Sequence, residues 1–447
     1  MRKTYQQQST IFDILPDHSL GREYQVISRL LDQHPRILEW VASDLGHDQI
    51  KSTGRLGLTA ETILRAALVK QHHQFSYDEL EVLIVDSNTF SAFCRLNGAQ
   101  PSRSALQAGI SRITHGTWER INRAVLTSAS VARVEIGSVV RIDSTPVPSD
   151  VHQPTDSELL WDAVRVLTRL MKKARKLLPE LVFSDRSRAA KRRLLQLRFN
   201  SRKADLKKLY RDLLGYTEET LDYVKVAMRR IPTRAQEWKG WVEKAERFTS
   251  LTEKVISQTW RRVFRDEKVP ASEKVVSLFE SHTDIIVKGS RDVTYGHKVN
   301  LTTGRSGMVL DLVVEPGNPA DSERAVPMIE RLVEIYGSAP RQCAMDGAYA
   351  CKENIKAIKA MGVKDAVFQK KRGLKIKEMT KSQWVYRKLR NFRAGIESII
   401  SCLKRSFGWK RCTWKGLARY KAYVWSSAVA FNLVTLGRKL CEQQLTI

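Results

Sequence analysis

An isolated strand-like segment near residue 140 places the strongest constraint on the fold. The run EIGSVVRIDSTPVPSD, residues 135–150, is apolar and β-rich and ends in an acid and turn residues. From about residue 157 to 275 the chain is instead strongly helical and basic, and strand-like segments resume only at TDIIVKG, GHKVNLTTG and MVLDLVVEPG. We therefore expect residues 157–275 to be a helical hairpin or small bundle inserted into a sheet.

The sequence after the insertion alternates between helix and strand patterns. A helix is predicted over about 321–336, followed by the strand RQCAMDG, the helix ENIKAIKAM, the strand DAVFQK and one long helix containing Glu397. Without the insertion this order predicts a mixed α/β core. The predicted division is a helical domain over 1–134, a catalytic domain over 135–156 and 276–447, and the insertion over 157–275.

The distribution of charge points to a polyanionic partner. The formal net charge is +28, and basic residues concentrate in three blocks, 95–133, 171–211 and the stretch between Glu378 and Glu442. Solvated helix faces could account for any one block, but three favour a track along a phosphate backbone. A membrane surface is disfavoured because no run of about twenty apolar residues is present. With no signal-peptide pattern and six scattered cysteines, we expect a cytoplasmic, nucleoid-associated protein with reduced thiols.

The N-terminal region reads as a series of short helices. Thr59 and the capping box formed by Ser76 and Glu79 mark two helix starts. The later segment SRSALQAGISRI is amphipathic and places Arg103 and Gln107 on its polar face. This pattern is compatible with a helix-turn-helix DNA reader and equally with an ordinary helical bundle.

Two aspartates stand at the ends of predicted strands. Asp143 ends VVRID, and Asp346 ends RQCAMD just before a glycine. Either one alone could be a turn former or a helix cap. If their strands are neighbours, the carboxylates converge, and divalent cations such as Mg²⁺ would neutralise them. Two such ions can activate an attacking oxygen and stabilise a leaving oxygen in phosphodiester chemistry.

Glu397 is the only acid between Glu378 and Glu442, a span with fourteen lysines and arginines. At helical spacing Arg393, Glu397 and Lys404 fall on one line beside an apolar stripe. A carboxylate at that margin of the core could complete a metal site, with the two basic residues against phosphates. A structural Arg393–Glu397 pair is the alternative, and such pairs contribute only about 0.5 kcal/mol.

These residues resemble the signatures of DDE insertion-sequence transposases. The spacing of Arg393, Glu397 and Lys404 is similar to the family's C-terminal motif, although Arg390 stands where the family usually has tyrosine, a role that Tyr386 could take. RIDSTPV looks like the first-aspartate motif and MDGAYA like the second, with YGHKVNL and EPGNPADSE between them. HQPTDSELLWDAVRVLTRL and the basic insertion look most like the ISNCY-like branch.

The resemblance implies an RNase H-like core and a DNA transposase from a bacterial insertion sequence. It implies that Asp143, Asp346 and Glu397 bind two Mg²⁺ or Mn²⁺ ions, cut the terminal inverted repeats and join the ends to target DNA. Arg393, Lys404, Arg390 and, more weakly, His297 and Lys298 would contact DNA, and pairing two ends would need a homodimer. A metal-dependent nuclease or resolvase on the same core, and a catalytically silent DNA-binding protein derived from a transposase, are the alternatives.

Overall fold

The N-terminal part of the computed structural model is helical. The structure describes residues 4, 15–46, 57–199, 203–231, 238–288, 292–370 and 372–445. Its first helices are α1 (Ser19–Asp32), α2 (Arg36–Asp44), α3 (Ala60–His73), α4 (Tyr77–Asp86), α5 (Asn88–Cys94), α6 (Arg103–Ile110) and α7 (His115–Val131).

Strands and further helices follow. The first strand is β1 (Val139–Pro148), after which come the helices α8 (Asp156–Leu177), α9 (Ser187–Phe199), α10 (Lys203–Arg230) and α11 (Lys239–Thr259). The remaining strands are β2 (Asp284–Lys288), β3 (Asp292–Gly304), β4 (Val309–Val314), β5 (Gln342–Met345) and β6 (Asp365–Phe368). The remaining helices are α12 (Ala325–Tyr336), α13 (Lys352–Ala360), α14 (Ile376–Met379), α15 (Gln383–Ala394), α16 (Ile396–Ser406) and α17 (Leu417–Leu445).

Side-chain caps fix the helix starts that the sequence predicted. The Thr59 hydroxyl accepts a hydrogen bond from the Thr62 amide at 3.0 Å, and α3 begins one residue after this cap. Ser76 and Glu79 form the predicted reciprocal capping box at the start of α4. These local signals are confirmed because capping depends on neighbouring residues alone.

The sheet has the order β3-β1-β5-β6, and β4 pairs with β3. β1, β5 and β6 run parallel, whereas β4 is antiparallel to β3. The predicted mixed α/β fold class is confirmed, with a large helical N-terminal region, a helical insertion after β1, and an arrangement consistent with an RNase H-like core.

The chain divides into two compact units, one formed by residues 1–150 with 297–447 and the other by residues 151–296. In the first unit α17 packs along α1, α3 and α7, so the C-terminal helix shares a core with the N-terminal helices. Buried polar pairs fix this packing: the Asn432 amide donates to the Asn122 side chain at 2.7 Å, and Gln71 donates to Ser426 at 2.8 Å. The predicted domain boundaries, which separate residues 1–134 from the catalytic core, stay a prediction.

The second unit contains α8 to α11 and the hairpin of β2 with Asp292–Gly296. Its helices enclose two apolar clusters of their own, one around Leu167 and Val224 and the other around Leu160 and Leu213. The Trp241 indole donates to the Leu170 carbonyl at 2.9 Å, so its buried N–H is satisfied. Within the described residues, no helix combines the length and the apolar character needed to cross a membrane.

Candidate active site

The register of two parallel strands brings Asp143 and Asp346 together. Ile142 of β1 pairs with Met345 of β5, and each aspartate is the next residue along its strand. Because the two strands are parallel and in register, Asp143 lies beside Asp346 at the point where β5 ends. The prediction that Asp143 ends its own strand is wrong, because β1 continues to Pro148. The Asp143 carboxylate accepts a hydrogen bond from the Ser144 amide at 2.8 Å, which fixes its orientation.

The helix predicted to carry Glu397 is in fact two helices that meet at Gly395. α15 ends at Ala394 and α16 starts at Ile396, so the prediction of one continuous helix is wrong. The cause is Arg141 of β1, whose buried guanidinium donates to the Phe392 carbonyl at 2.7 Å and to the Thr303 hydroxyl at 3.0 Å. A Cβ at position 395 would collide with this guanidinium, so glycine is needed at the junction. Arg141 thus links the junction of the two helices to the strand that carries Asp143.

Arg393 lies at the centre of the three predicted acids. Its guanidinium is 2.7 Å from the Asp143 carboxylate, 3.0 Å from Glu397 and 3.8 Å from Asp346. The Arg393 side chain is only 7% exposed, whereas that of Glu397 is 68% exposed. The sequence predicted Arg393 at the edge of the site, against phosphate. In the structure it is the internal counter-ion of all three carboxylates, which lie around it.

Electrostatics explains why this cluster holds together. Two like charges about 4 Å apart repel by about 4 kcal/mol at the effective dielectric of a protein surface, so three carboxylates need a nearby cation. The Arg393 guanidinium supplies that charge with ion pairs to all three. One of its nitrogens, Nε, is buried and has no hydrogen-bond partner among the described residues. The single positive charge therefore offsets only part of the three negative charges, and the hydrogen bonding of the guanidinium is incomplete.

The donor set suits a hard divalent cation. All three acids offer oxygen only, and Mg²⁺ takes oxygen ligands and few protein groups. Within the described residues no group of three His, Cys, Asp or Glu side chains is arranged to hold a metal ion. The three carboxylates surround the Arg393 guanidinium instead. The residues fit the ions by chemistry, provided that Arg393 turns away from them.

A buried series of hydrogen bonds between polar side chains lies beside Asp346. The sequence did not reveal it. Tyr349, in the MDGAYA segment, donates to the Asn300 side-chain oxygen at 2.7 Å, and Asn300 donates to Glu315 at 2.8 Å. Glu315 pairs with Arg324 at 2.5 Å. Burial raises the pKa of Tyr349 well above its usual value, and the charges of Asp321 and Asp143 act in the same direction. Tyr349 therefore stays a neutral donor that fixes β3 against the turn after Asp346.

Four other residues named from the sequence have surroundings of their own. The Lys298 ammonium is buried and bonds Asp321 at 2.6 Å and the Pro319 carbonyl at 2.7 Å. Arg390 is exposed on α15. Tyr386, two turns before Arg393, is buried, and its hydroxyl donates to the Phe368 carbonyl at 3.5 Å. His297 is buried against the ring of Tyr420 at 4.8 Å between centroids.

The last three predicted residues share a different surface. Lys404, Arg103 and Gln107 line one groove in the first unit. The sequence placed Lys404 with Glu397 and the other two in a separate DNA reader. The structure therefore brings together residues that lie about three hundred positions apart in the chain.

One comparison with known proteins found a match. Residues 287–433, about a third of the chain, match the family model described as the transposase DDE domain. The matched stretch is similar to a transposase DDE domain, and it contains Asp346, Arg393 and Glu397, whereas Asp143 lies before it. The predicted resemblance to DDE-type transposases is confirmed, and the ISNCY-like branch stays a prediction.

The match supports a transposase-type function, and DDE transposases act on DNA and generally depend on divalent metal ions. No curated protein and no solved structure matched the chain significantly.

Proposed function

We propose that this protein is a DNA transposase of an insertion sequence that cuts and joins DNA at Asp143, Asp346 and Glu397. The observation that carries the proposal is the meeting of these three acids at one buried guanidinium. They come from two parallel strands and a helix, and Asp143 and Glu397 lie 254 positions apart in the sequence. Local structure alone therefore does not bring them together. A stability role is a weak explanation, because hydrophobic residues of similar volume would often serve as well or better.

The same three carboxylates would hold two Mg²⁺ or Mn²⁺ ions. When bound, the ions would activate the attacking oxygen and stabilise the leaving oxygen at the scissile phosphate. Asp143 within β1 and Asp346 directly after β5 are held by adjacent strands and would be rigid ligands. Glu397 stands on the first turn of α16, largely exposed, and has the freedom to adjust.

Arg393 has two roles in this proposal. Before the ions bind, it offsets part of the negative charge of the carboxylates and keeps them close together, which limits the rearrangement needed later. Once it has released them, its guanidinium is beside the reacting phosphate and would bind it by paired N–H donors. Arg390, on the exposed face of the same helix, would contact the DNA backbone nearby.

The proposed reaction cleaves at the terminal inverted repeats and then joins the freed 3′-hydroxyl to target DNA, in a homodimer that pairs two ends. This would occur on chromosomal DNA in a bacterial cytoplasm. Lys298 would act indirectly, because its ammonium is bonded within the protein.

A cleavage and joining assay tests the proposal. Purified protein is incubated with DNA that carries the repeats flanking its gene, with and without Mg²⁺. We expect cleavage at the repeat ends and joined products with Mg²⁺, and loss of both by at least a hundredfold in Asp143→Asn, Asp346→Asn and Glu397→Gln. The matched control is Glu334→Gln, which removes an exposed carboxylate on α12.

Two outcomes would contradict the proposal in different ways. Cleavage that survives in any of the three acid variants would exclude that residue from the site. Metal-dependent cleavage without joined products would indicate a nuclease or resolvase instead of a transposase.

A further inference from the structure

A large basic groove lies in the first unit, apart from the three acids. Its volume is about 1010 Å³. One side is formed by the end of α3, the start of α4 and the polar face of α6, and the other by the segment from Lys404 through the start of α17. Its basic residues are Lys70, Arg103, Lys404, Arg405, Lys410, Arg411, Lys415 and Arg419.

The groove carries a strong positive charge. Against eight lysines and arginines it has two acids, Asp78 and Glu79, which gives a formal charge of +6. Both acids are occupied: Asp78 pairs with Arg103 at 3.1 Å, and Glu79 accepts the Ser76 amide in the capping box. Both carboxylates keep their charge in these contacts, and the formal charge of +6 already includes them.

Four cations in the groove are available to a ligand. Arg405, Lys410, Lys415 and Arg419 are exposed, and none is in ion-pair contact with a carboxylate of the described residues. Lys70 also lines the groove, but it is buried, and this burial lowers its pKa to about 8. The exposed four are thus the main phosphate ligands that the groove can offer.

The segment bearing these cations is held in a fixed conformation. The Cys412 amide donates to the Pro148 carbonyl at 2.8 Å, and the Trp409 indole donates to the Val424 carbonyl at 3.3 Å. Gly408 has φ 84°, and a Cβ there would collide with the Tyr423 hydroxyl and with Gln74 of the opposite side. An anchored, acid-free segment differs from a solvated charged face because its charges are preorganised.

The opposite side of the groove presents a helix suited to reading bases. Leu106 and Ile110 of α6 are buried, so Arg103 and Gln107 face outward into the groove. Arginine pairs with guanine and glutamine with adenine in the DNA major groove, which admits a helix. One side thus offers base-reading groups and the other offers phosphate ligands.

We propose that this groove binds one DNA duplex, with phosphates against Arg405, Lys410, Lys415 and Arg419 and base edges against Arg103 and Gln107. The inference deepens the proposed function, because it assumes that DNA is the substrate. It assigns the binding energy to a surface formed jointly by the N-terminal helices and the segment after α16. It also assigns Lys404 to this groove.

Equilibrium binding of the full-length protein tests the proposal. Binding is measured in EDTA, so that cleavage does not contribute, with duplex DNA, single-stranded DNA and duplex RNA of equal length over a range of salt. The test variant is Lys410→Gln/Lys415→Gln/Arg419→Gln. The matched control is Arg29→Gln/Arg36→Gln/Arg133→Gln, which removes the same charge from exposed positions outside the groove.

We expect the test variant to bind duplex DNA about 10- to 100-fold more weakly near 0.1 M salt. The slope of log affinity against log salt should fall by about 0.9 for each lost phosphate contact, or about 2.7 for three. The control should stay within about twofold of the wild type. Circular dichroism and the melting temperature should be unchanged in both, since every replaced side chain is exposed.

A base-reading variant provides the second test. Arg103→Ala/Gln107→Ala should reduce the preference for repeat DNA over unrelated DNA by at least tenfold while leaving binding to unrelated DNA within a few-fold. Equal loss on both DNAs would exclude base reading by α6.

Several outcomes would overturn the groove as a duplex DNA site. The first is that the triple variant binds duplex DNA with the affinity and salt slope of the wild type. The second is that the control variant loses as much affinity as the test variant. The third is that RNA or single-stranded DNA binds more tightly than duplex DNA and depends on the groove residues. The proposed function is tested separately. If the acid variants abolish cleavage while the groove variants bind normally, only the groove proposal fails. If the groove variants lose binding while the acid variants still cleave, only the catalytic assignment fails.

Discussion

At the scale of single residues, Arg393 changed most between sequence and structure. Its spacing to Glu397 predicted a neighbour of the site, and the ion pair between them was the alternative reading. The structure contains that pair and also pairs the same guanidinium with Asp143 and Asp346. Helical spacing describes one element only, so it could show the first contact and not the other two.

Replacing Arg393 by glutamine should make stability depend on metal. Removing a buried cation that three carboxylates share should lower the free energy of unfolding by about 3 kcal/mol in EDTA. Added Mg²⁺ should restore much of this loss, because the three carboxylates that have lost Arg393 are brought together, and so bind the ion, only in the folded state. Urea unfolding with and without Mg²⁺ measures both effects.

Arg393→Lys is the matched control for that variant. It keeps the charge and should lose less stability in EDTA, with a smaller response to Mg²⁺ than the glutamine variant. Equal Mg²⁺ responses in the wild type and in Arg393→Gln would show that the guanidinium does not compete with metal for these acids.

At the scale of elements, the interruption between α15 and α16 has a specific physical cause. The sequence offered Gly395 as a signal, but a single glycine within a helical pattern does not by itself predict a break. The cause is Arg141, which approaches from β1, more than two hundred positions earlier. Strands, caps and amphipathic helices were predictable because their signals are local, whereas this junction depends on a distant side chain.

A double-mutant cycle tests the link between Gly395 and Arg141. Gly395→Ala alone should lower stability by about 1–2 kcal/mol, because the new methyl displaces the buried guanidinium and breaks its bond to Phe392. In an Arg141→Met background the same change should be neutral or should stabilise by up to about 1 kcal/mol, since alanine favours helix over glycine. Urea unfolding of the four proteins gives the coupling energy. Identical effects in both backgrounds would show that the guanidinium does not require the glycine.

At the scale of the whole molecule, the sequence was enough to predict the fold class, and it gives the net charge directly. It did not predict how α17 packs. Its central residues, 422–434, are all buried, so no apolar stripe indicated which helices it would meet. The structure places it against α1, α3 and α7, and Arg438 of α17 pairs with Glu23 of α1 at 2.8 Å. This packing also positions the groove, because its two sides come from opposite ends of the chain.

The charge of +28 predicts a steep salt dependence of DNA binding. For about six to ten phosphate contacts, affinity for duplex DNA should fall about 10³- to 10⁵-fold between 50 and 200 mM salt. Fluorescence anisotropy of a labelled duplex across that range measures the slope. A decrease of less than tenfold would mean that the basic residues do not face DNA.

Diffraction from crystals soaked in Mn²⁺ tests the central claim most directly, because the anomalous signal locates the ion. We predict one or two peaks within coordination distance of Asp143, Asp346 and Glu397, with the Arg393 guanidinium turned away from all three. The same soak of Asp143→Asn should give no peak or a much weaker one. The account would be contradicted if Arg393 kept its three ion pairs and no ion bound there at a Mn²⁺ concentration that supports DNA cleavage.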